Sequence, residues 1–262
     1  MAFQYKRILL VGATSGIGAA MADKLILEGA KVIAVGRRQE RLDAFVQKHG
    51  PEKSSGIRYD VTDRAGLDAF VNGIVNKYPD LDCVFLNSGI QSQIRLSRPT
   101  EVNLDAFHEE IGTNFNRVVD LSMKFLPHLL VKPFPTALVI TGTLLALVPA
   151  VTMPAYSASK AALNAFIYCL RRQQQGSNTR IIEVWPPVVQ KLHDYMGPER
   201  GRNMGMPASE FIEKAWSQLA AGSEHVIIGS ADSSDEAFLE IVKQRRQNFD
   251  SLSGILLGHF EL

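Results

Sequence analysis

Tyr156 and Lys160 stand four residues apart in Ala155 to Ala162, a helix-favouring stretch, so both side chains emerge on one face. An ammonium beside a phenol stabilises the phenolate and draws its pKa from about 10 toward working pH, giving a group that can donate and accept a proton. Such a pair also occurs with no chemical role. It gains weight beside Gly12, Gly16 and Gly18, which follow the apolar run Ile8 to Val11 and open a helix. At a strand-to-helix turn, glycines let the backbone approach a pyrophosphate, and the helix N-terminus turns free N–H groups and positive dipole toward it. The next strand-like run, Val32 to Val35, ends in Gly36, Arg37 and Arg38. A carboxylate there would bind a ribose 2′-hydroxyl, whereas a guanidinium fork binds a 2′-phosphate bidentately. NADP(H) is therefore expected over NAD(H), with Arg37 leading and Arg38 assisting. The plainer alternative is two solvated arginines opening a surface helix.

Positioning these groups requires a particular alternation of elements. Strand-like runs at Ile8 to Val11, Val32 to Val35, Cys83 to Leu86, Ala137 to Ile140, Ile181 to Trp185 and Val226 to Ile228 alternate with helical patterns. The helical patterns cover Gly16 to Glu28, Glu40 to Lys48, Ala65 to Lys77, Asp105 to Leu130, Ala155 to Gln175 and Ala208 to Ala221. Continuous Ile/Val/Leu strands are buried on both faces, which predicts an α/β fold: a doubly wound parallel sheet with helices on each side. No linker or repeat divides the chain, so one domain is expected over residues 1 to 262. The loop-like stretch at about 190 to 207, with Gly197, Gly201 and Gly205, suits a substrate lid or a plain surface loop.

The 28 Lys plus Arg nearly balance 27 Asp plus Glu among 262 residues, so no broad field draws the chain to nucleic acid or anionic lipid. The longest uncharged run, Ala137 to Ala155, contains Gly142, Pro149 and Pro154 and reads as a buried strand and a loop, so no membrane span is expected. Two cysteines are too few for a disulfide framework and suit a reducing, cytoplasmic compartment; Cys83 and Cys169 are each expected in the core. No metal is expected.

In order and spacing, the chain from Lys6 to about Val189 resembles the short-chain dehydrogenase/reductases. The motifs are Gly12-Ala13-Thr14-Ser15-Gly16-Ile17-Gly18, Asp60-Val61, Asn87-Ser88-Gly89, Asn114, Thr143, Tyr156 to Lys160 and Pro186 to Val189. The resemblance implies a Rossmann-type sheet of about seven strands. The glycine turn and Ile17 would lie under the pyrophosphate, Asp60 and Val61 at the adenine, and Asn87, Ser88 and Gly89 beside the ribose. It implies Tyr156 as general acid or base, Lys160 as its charged neighbour and holder of the nicotinamide ribose, Asn114 in a water-mediated proton relay, and Thr143 at the substrate oxygen. Pro186 and Val189 would border the nicotinamide, and a homodimer or homotetramer is implied.

Several positions depart from the family pattern. Thr143 stands where serine is usual, with the same hydroxyl capacity and one more methyl. Pro187 replaces a glycine, and Lys191 a threonine that normally touches the cofactor. The tail from Ser223 loosely resembles a subgroup named for a bacterial D-alanylation-cluster oxidoreductase. An NADPH-dependent oxidoreductase acting on a carbonyl or alcohol of a small molecule is expected; a lapsed dinucleotide-binding sensor and an isomerase or cyclase on the same scaffold are the alternatives. Gln91 to Arg98, Leu144 to Met153 and Gln190 to Pro207 are expected to line a mainly apolar substrate site, with His193 and Tyr195 as possible contacts.

Overall fold

Seven strands hydrogen-bond in parallel: β1 Arg7–Val11, β2 Lys31–Gly36, β3 Ser54–Arg58, β4 Cys83–Leu86, β5 Thr136–Thr141, β6 Thr179–Trp185 and β7 His225–Ile227. They lie in the order β3-β2-β1-β4-β5-β6-β7. The computed structural model describes residues 3–190, 205–229 and 235–258. Eight α-helices are described: α1 Gly16–Leu27, α2 Gln39–His49, α3 Leu67–Lys77, α4 Leu104–Ile111, α5 Arg117–Leu130, α6 Pro154–Gln173, α7 Ala208–Ala220 and α8 Asp235–Leu257.

The strand centres are mostly apolar because each face of the sheet has its own helical cover; the exceptions are β3, with Ser54, Ser55 and Arg58, and Glu183 within β6. Alternate side chains of one strand enter opposite cores, as the two-residue period of a strand demands. Ile8, Leu10, Val32, Phe85, Val139 and Val184 pack under α1 and α7 with Met21, Leu25, Phe211 and Leu219. Leu9, Val11, Ile33, Val84, Leu138 and Ile140 pack under α3, α5 and α6 with Val71, Leu121, Phe125, Leu163 and Ile167. Each such fully buried side chain contributes roughly 1.5–3 kcal/mol. A third cluster joins Leu144, Ala146 and Trp185 to Phe238 and Val242 of α8.

The chain steps from β1 outward to β3 and then returns to β4 on the other flank of β1. That reversal opens a crevice at the carboxyl ends of β1 and β4, where ligands bind in open α/β sheets. The expected helix from Asp105 to Leu130 is not one regular helix: α4 passes through a π-helical turn at Gly112–Asn116 before α5 resumes. The wide turn falls on Asn114, and such turns are frequent at functional sites. Cys83 is buried as expected, but Cys169 is exposed on α6. Its position falls off the buried face carried by Leu163, Ile167 and Leu170.

Candidate functional site

The glycine turn is built by close approach. Gly12 (φ +88°) and Gly16 (φ +56°) take left-handed backbone that side chains disfavour. A Cβ on Gly12 would lie 2.7 Å from the Ser88 nitrogen, and one on Gly18 would lie 2.0 Å from the Gly12 oxygen. Only bare backbone fits, leaving a hollow in front of α1. Ser15 at the N-cap makes no side-chain capping bond, so the first N–H groups of α1 keep their donor capacity for a ligand. Asn87 ties the strand ends together: its Nδ2 donates to the Gly12 oxygen at 3.2 Å, and its Oδ1 accepts from the Thr141 hydroxyl at 2.9 Å.

Arg38 arches over this turn. Its Nη2 donates to Thr14 Oγ1 and Ser15 Oγ, each at 2.8 Å. Partial burial, with the like charges of Arg41 and Arg37 beside it, holds its guanidinium below the usual value, so an anion would be welcome there. Arg37 reaches outward, its side chain 67% exposed and its Nη1 3.8 Å from Asp60 Oδ2. Both arginines border the cleft, but the geometry makes Arg38 the held group and Arg37 the loose one. Arg41, whose Nη1 donates to the Thr14 carbonyl at 3.0 Å, was not singled out by the sequence. Its spacing of three from Arg38 on a helix is the signal that could have found it. Asp60 Oδ1 accepts from the Thr62 nitrogen and hydroxyl. Burial pushes the Asp60 carboxyl up, and those two bonds with the Arg37 charge outweigh it and leave it lowered.

At the other end, Pro154 in the first turn of α6 starts the helix that carries Tyr156 and Lys160 on one face. Lys160 Nζ lies 5.7 Å from the Tyr156 ring centre and donates to the Thr141 carbonyl at 2.8 Å. The lysine is 4% exposed. Burial pushes its pKa down from 10.5 to about 8, with Glu183 pulling the other way, so near neutrality it is still mostly an ammonium. Thr143 Oγ1 accepts from the Leu145 nitrogen at 3.3 Å, which leaves its hydroxyl hydrogen to be donated into the cleft.

Asn114 is fully buried, and its amide clamps Ile90 in both directions: Oδ1 accepts from the Ile90 nitrogen at 2.8 Å and Nδ2 donates to the Ile90 oxygen at 2.7 Å. It therefore stands behind the wall rather than on it. Ser159 Oγ, 3.3 Å from Asn114 Nδ2, joins this support and was not foreseen.

A cleft of about 400 Å³ connects these groups. It is bordered by Gly12, Thr14, Ser15, Ile17, Arg37, Arg38, Asp60, Val61, Asn87, Ser88, Gly89, Thr143, Tyr156, Lys160, Pro186 and Val189. Gly16 and Gly18 shape the turn from behind. Gln91, Leu144, Leu145 and Met153 border the far end as expected, and Glu109 and Thr113 join them unforeseen. Arg95 and Arg98 do not reach the wall; Arg98 turns outward to Glu101. Pro187 lines the cleft, packed against Gly229. Val189 pairs with Met206, and Gln190 donates to the Met206 carbonyl at 2.9 Å. Lys191, His193 and Tyr195, with most of the expected lid, lie outside the described residues. The bare-backbone hollow, the arginines and the buried ammonium fit a nicotinamide dinucleotide along the cleft.

A family model described as short chain dehydrogenase matches residues 6–194. The chain is 33% identical over 224 residues to an uncharacterized oxidoreductase, DltE, of Bacillus subtilis strain 168, covering 84% of this chain and 86% of that protein. It is 29% identical over 179 residues to a serine 3-dehydrogenase of Agrobacterium fabrum, covering 68% of this chain and 70% of that one. Among solved structures, a short chain dehydrogenase from Mycobacterium smegmatis superposes with a TM-score of 0.73 at 20% identity, over 89% of this chain and 95% of that one.

Proposed function

We propose that this chain, which belongs to the short-chain dehydrogenase/reductase family, is an NADPH-dependent reductase of a medium-sized, mainly apolar carbonyl compound, or the dehydrogenase of the matching alcohol. The family uses a nicotinamide cofactor, NAD or NADP. The observation that carries the reading is one continuous cleft with Arg38 held over the glycine turn at one end and Tyr156, Lys160 and Thr143 at the other.

When bound, the nicotinamide would supply or accept a hydride. The rest of the chemistry falls to the protein. Hydride arrival on a carbonyl carbon puts negative charge on oxygen, which must be stabilised as it develops. The Thr143 hydroxyl, its acceptor side already engaged by Leu145, donates to that oxygen. Tyr156 gives up its proton to the same oxygen, and the neighbouring Lys160 ammonium stabilises the phenolate left behind. Asn114 keeps the Ile90 segment of the wall in place. The apolar far end, with Leu144, Leu145 and Met153, suits a hydrophobic substrate body.

Among the described residues no helix is long and apolar enough to cross a membrane. We read the chain as one domain. The two free thiols, one exposed, support a reducing compartment such as the cytoplasm. Exposed Leu104, Met123 and Val131 on and beside α4 and α5 support a homo-oligomer.

The test is NADPH oxidation with a panel of aldehydes and ketones, repeated with Tyr156→Phe. General acid catalysis contributes about 100-fold to 10,000-fold, so phenylalanine should lower turnover by that factor and leave NADPH binding nearly unchanged. Wild-type turnover by Tyr156→Phe would refute the mechanism.

A further inference from the structure

A second set of buried polar groups, outside the cleft lining, is tied to α6 one turn beyond Lys160. Glu183, in the middle of β6, is fully buried, flanked in register by Ile140 of β5 and His225 of β7. Asn164, one turn beyond Lys160 on α6 and itself fully buried, donates to both Glu183 oxygens at 3.2 and 3.0 Å. Gly142 makes the room. A Cβ there would lie 2.5 Å from both Glu183 Oε1 and Trp185 Nε1, so only glycine leaves room for the carboxylate and the indole under the strand that leads to Thr143.

We propose that Glu183 is a positioning residue for the reaction, a buried carboxylate that keeps Lys160 an ammonium while Tyr156 gives up its proton. The proposal rests on the roles given above to Tyr156 and Lys160. A buried charge is tolerated only when paired or well hydrogen-bonded, and one carbonyl, that of Thr141, is a thin shell for a buried ammonium. A carboxylate deep in the same low-dielectric region supplies the missing attraction.

The other charged groups around Glu183 leave that role open to it. Burial pushes its carboxyl up, opposed by the Trp185 indole N–H, the Arg171 charge, Asn164 and Lys160. Arg171 on α6 is committed elsewhere, donating to the Ile181 carbonyl at 2.9 Å and the Glu224 carbonyl at 3.2 Å. His225 Nε2 lies 3.5 Å from Glu183 Oε2, but burial and the charges of Arg171, Arg246 and Arg245 push its pKa down to about 3, so it stays neutral. Tyr168, whose own pKa burial pushes up, adds no charge near neutrality. Lys160 is thus the buried cation for which Glu183 decides the protonation state.

The experiment titrates Lys160 directly in cofactor-free protein carrying 13C at lysine Cε, its resonance identified by its loss in Lys160→Met. Wild-type Lys160 should titrate at about 8. In Glu183→Gln it should titrate at least one pH unit lower, a tenfold or larger loss of proton affinity. In Glu183→Asp, whose carboxylate is drawn back toward β6 and away from α6, the shift should have the same sign and be smaller. A purely structural Glu183 would lower the melting temperature of these variants and leave the Lys160 titration in place. An unmoved titration in Glu183→Gln overturns the proposal; if that variant does not fold, an unmoved titration in Glu183→Asp does so. Failure of wild-type protein to oxidise NADPH would instead refute the oxidoreductase reading, without touching this measurement. In active enzyme, the alkaline limb of the reduction profile should move down with Glu183→Gln by the same amount.

Discussion

Arg38→Ser should remove most of the preference for NADPH over NADH, and Arg37→Ser should lower it by roughly fivefold or less. The reasoning starts from how each guanidinium is held. Arg38 is fixed by Thr14 and Ser15 at 2.8 Å, so little side-chain freedom is lost when a phosphate arrives. A charge-assisted bidentate contact contributes about 1.5–3 kcal/mol, which at about 1.4 kcal/mol per tenfold is roughly 10-fold to 150-fold in affinity. Arg37, two-thirds exposed and loosely paired with Asp60, should contribute about 1 kcal/mol or less, or roughly fivefold. Arg38 is also the N-cap residue of α2 and makes no capping bond, so serine there improves the helix end and the variant should melt no lower than wild type. Fluorescence titration of NADPH and NADH on both variants supplies the ratios. Should Arg38→Ser keep the wild-type ratio, or Arg37→Ser prove the more damaging, the assignment of the 2′-phosphate to Arg38 is wrong.

Thr143→Val should lower turnover strongly and Thr143→Ser should leave it nearly intact, because valine keeps the shape and removes only the hydroxyl; equal steady-state rates for wild type and valine would make Thr143 a packing residue. Lys160→Met should change stability by an amount that depends on pH, since the wild type buries a group whose pKa falls to about 8 in the folded protein. Between about pH 8 and 10.5 the unfolded chain holds the extra proton, so Lys160's contribution to stability rises with pH and the wild type gains on methionine by roughly 3 kcal/mol. Denaturation at pH 7 and 10 checks this, and a gap independent of pH refutes it.

Much of the fold was legible because its signals are local or periodic. Five of the seven strands show as unbroken apolar runs, a pattern that burial on both faces imposes, and β6 shows as a run interrupted by Glu183. β3 was missed because Ser54–Arg58 reads SSGIR; at the edge of the sheet only one side needs cover, and Ile57 is its one large apolar residue. α8 was missed because Asp235–Leu257 buries little beyond Phe238 and Val242 and leaves Leu239, Ile241, Leu252, Ile255 and Leu256 exposed, so its apolar residues mark no single buried face. In the site, the glycine turn and the Tyr156/Lys160 pair announce themselves by spacing. Glu183, Asn164 and Thr141 do not, because their role depends on strands and helices far apart in sequence being laid side by side. The order of the two arginines was likewise invisible, since adjacent identical residues differ only in where the backbone aims them.

The cluster that seats Phe238 and Val242 of α8 against Trp185, Leu144 and Ala146 places a helix made well after β5 beneath the segment that carries Thr143. Synthesis proceeds from the N-terminus at about 5–20 residues per second, and a nascent chain can begin pairing β1, β2, β4 and β5 well before that helix emerges. The glycine turn and the arginines belong to that early half. The loop after β5 acquires its apolar floor only when α8 arrives. A nascent chain therefore completes the glycine turn and the arginines before the segment that carries Thr143 gains its full apolar support.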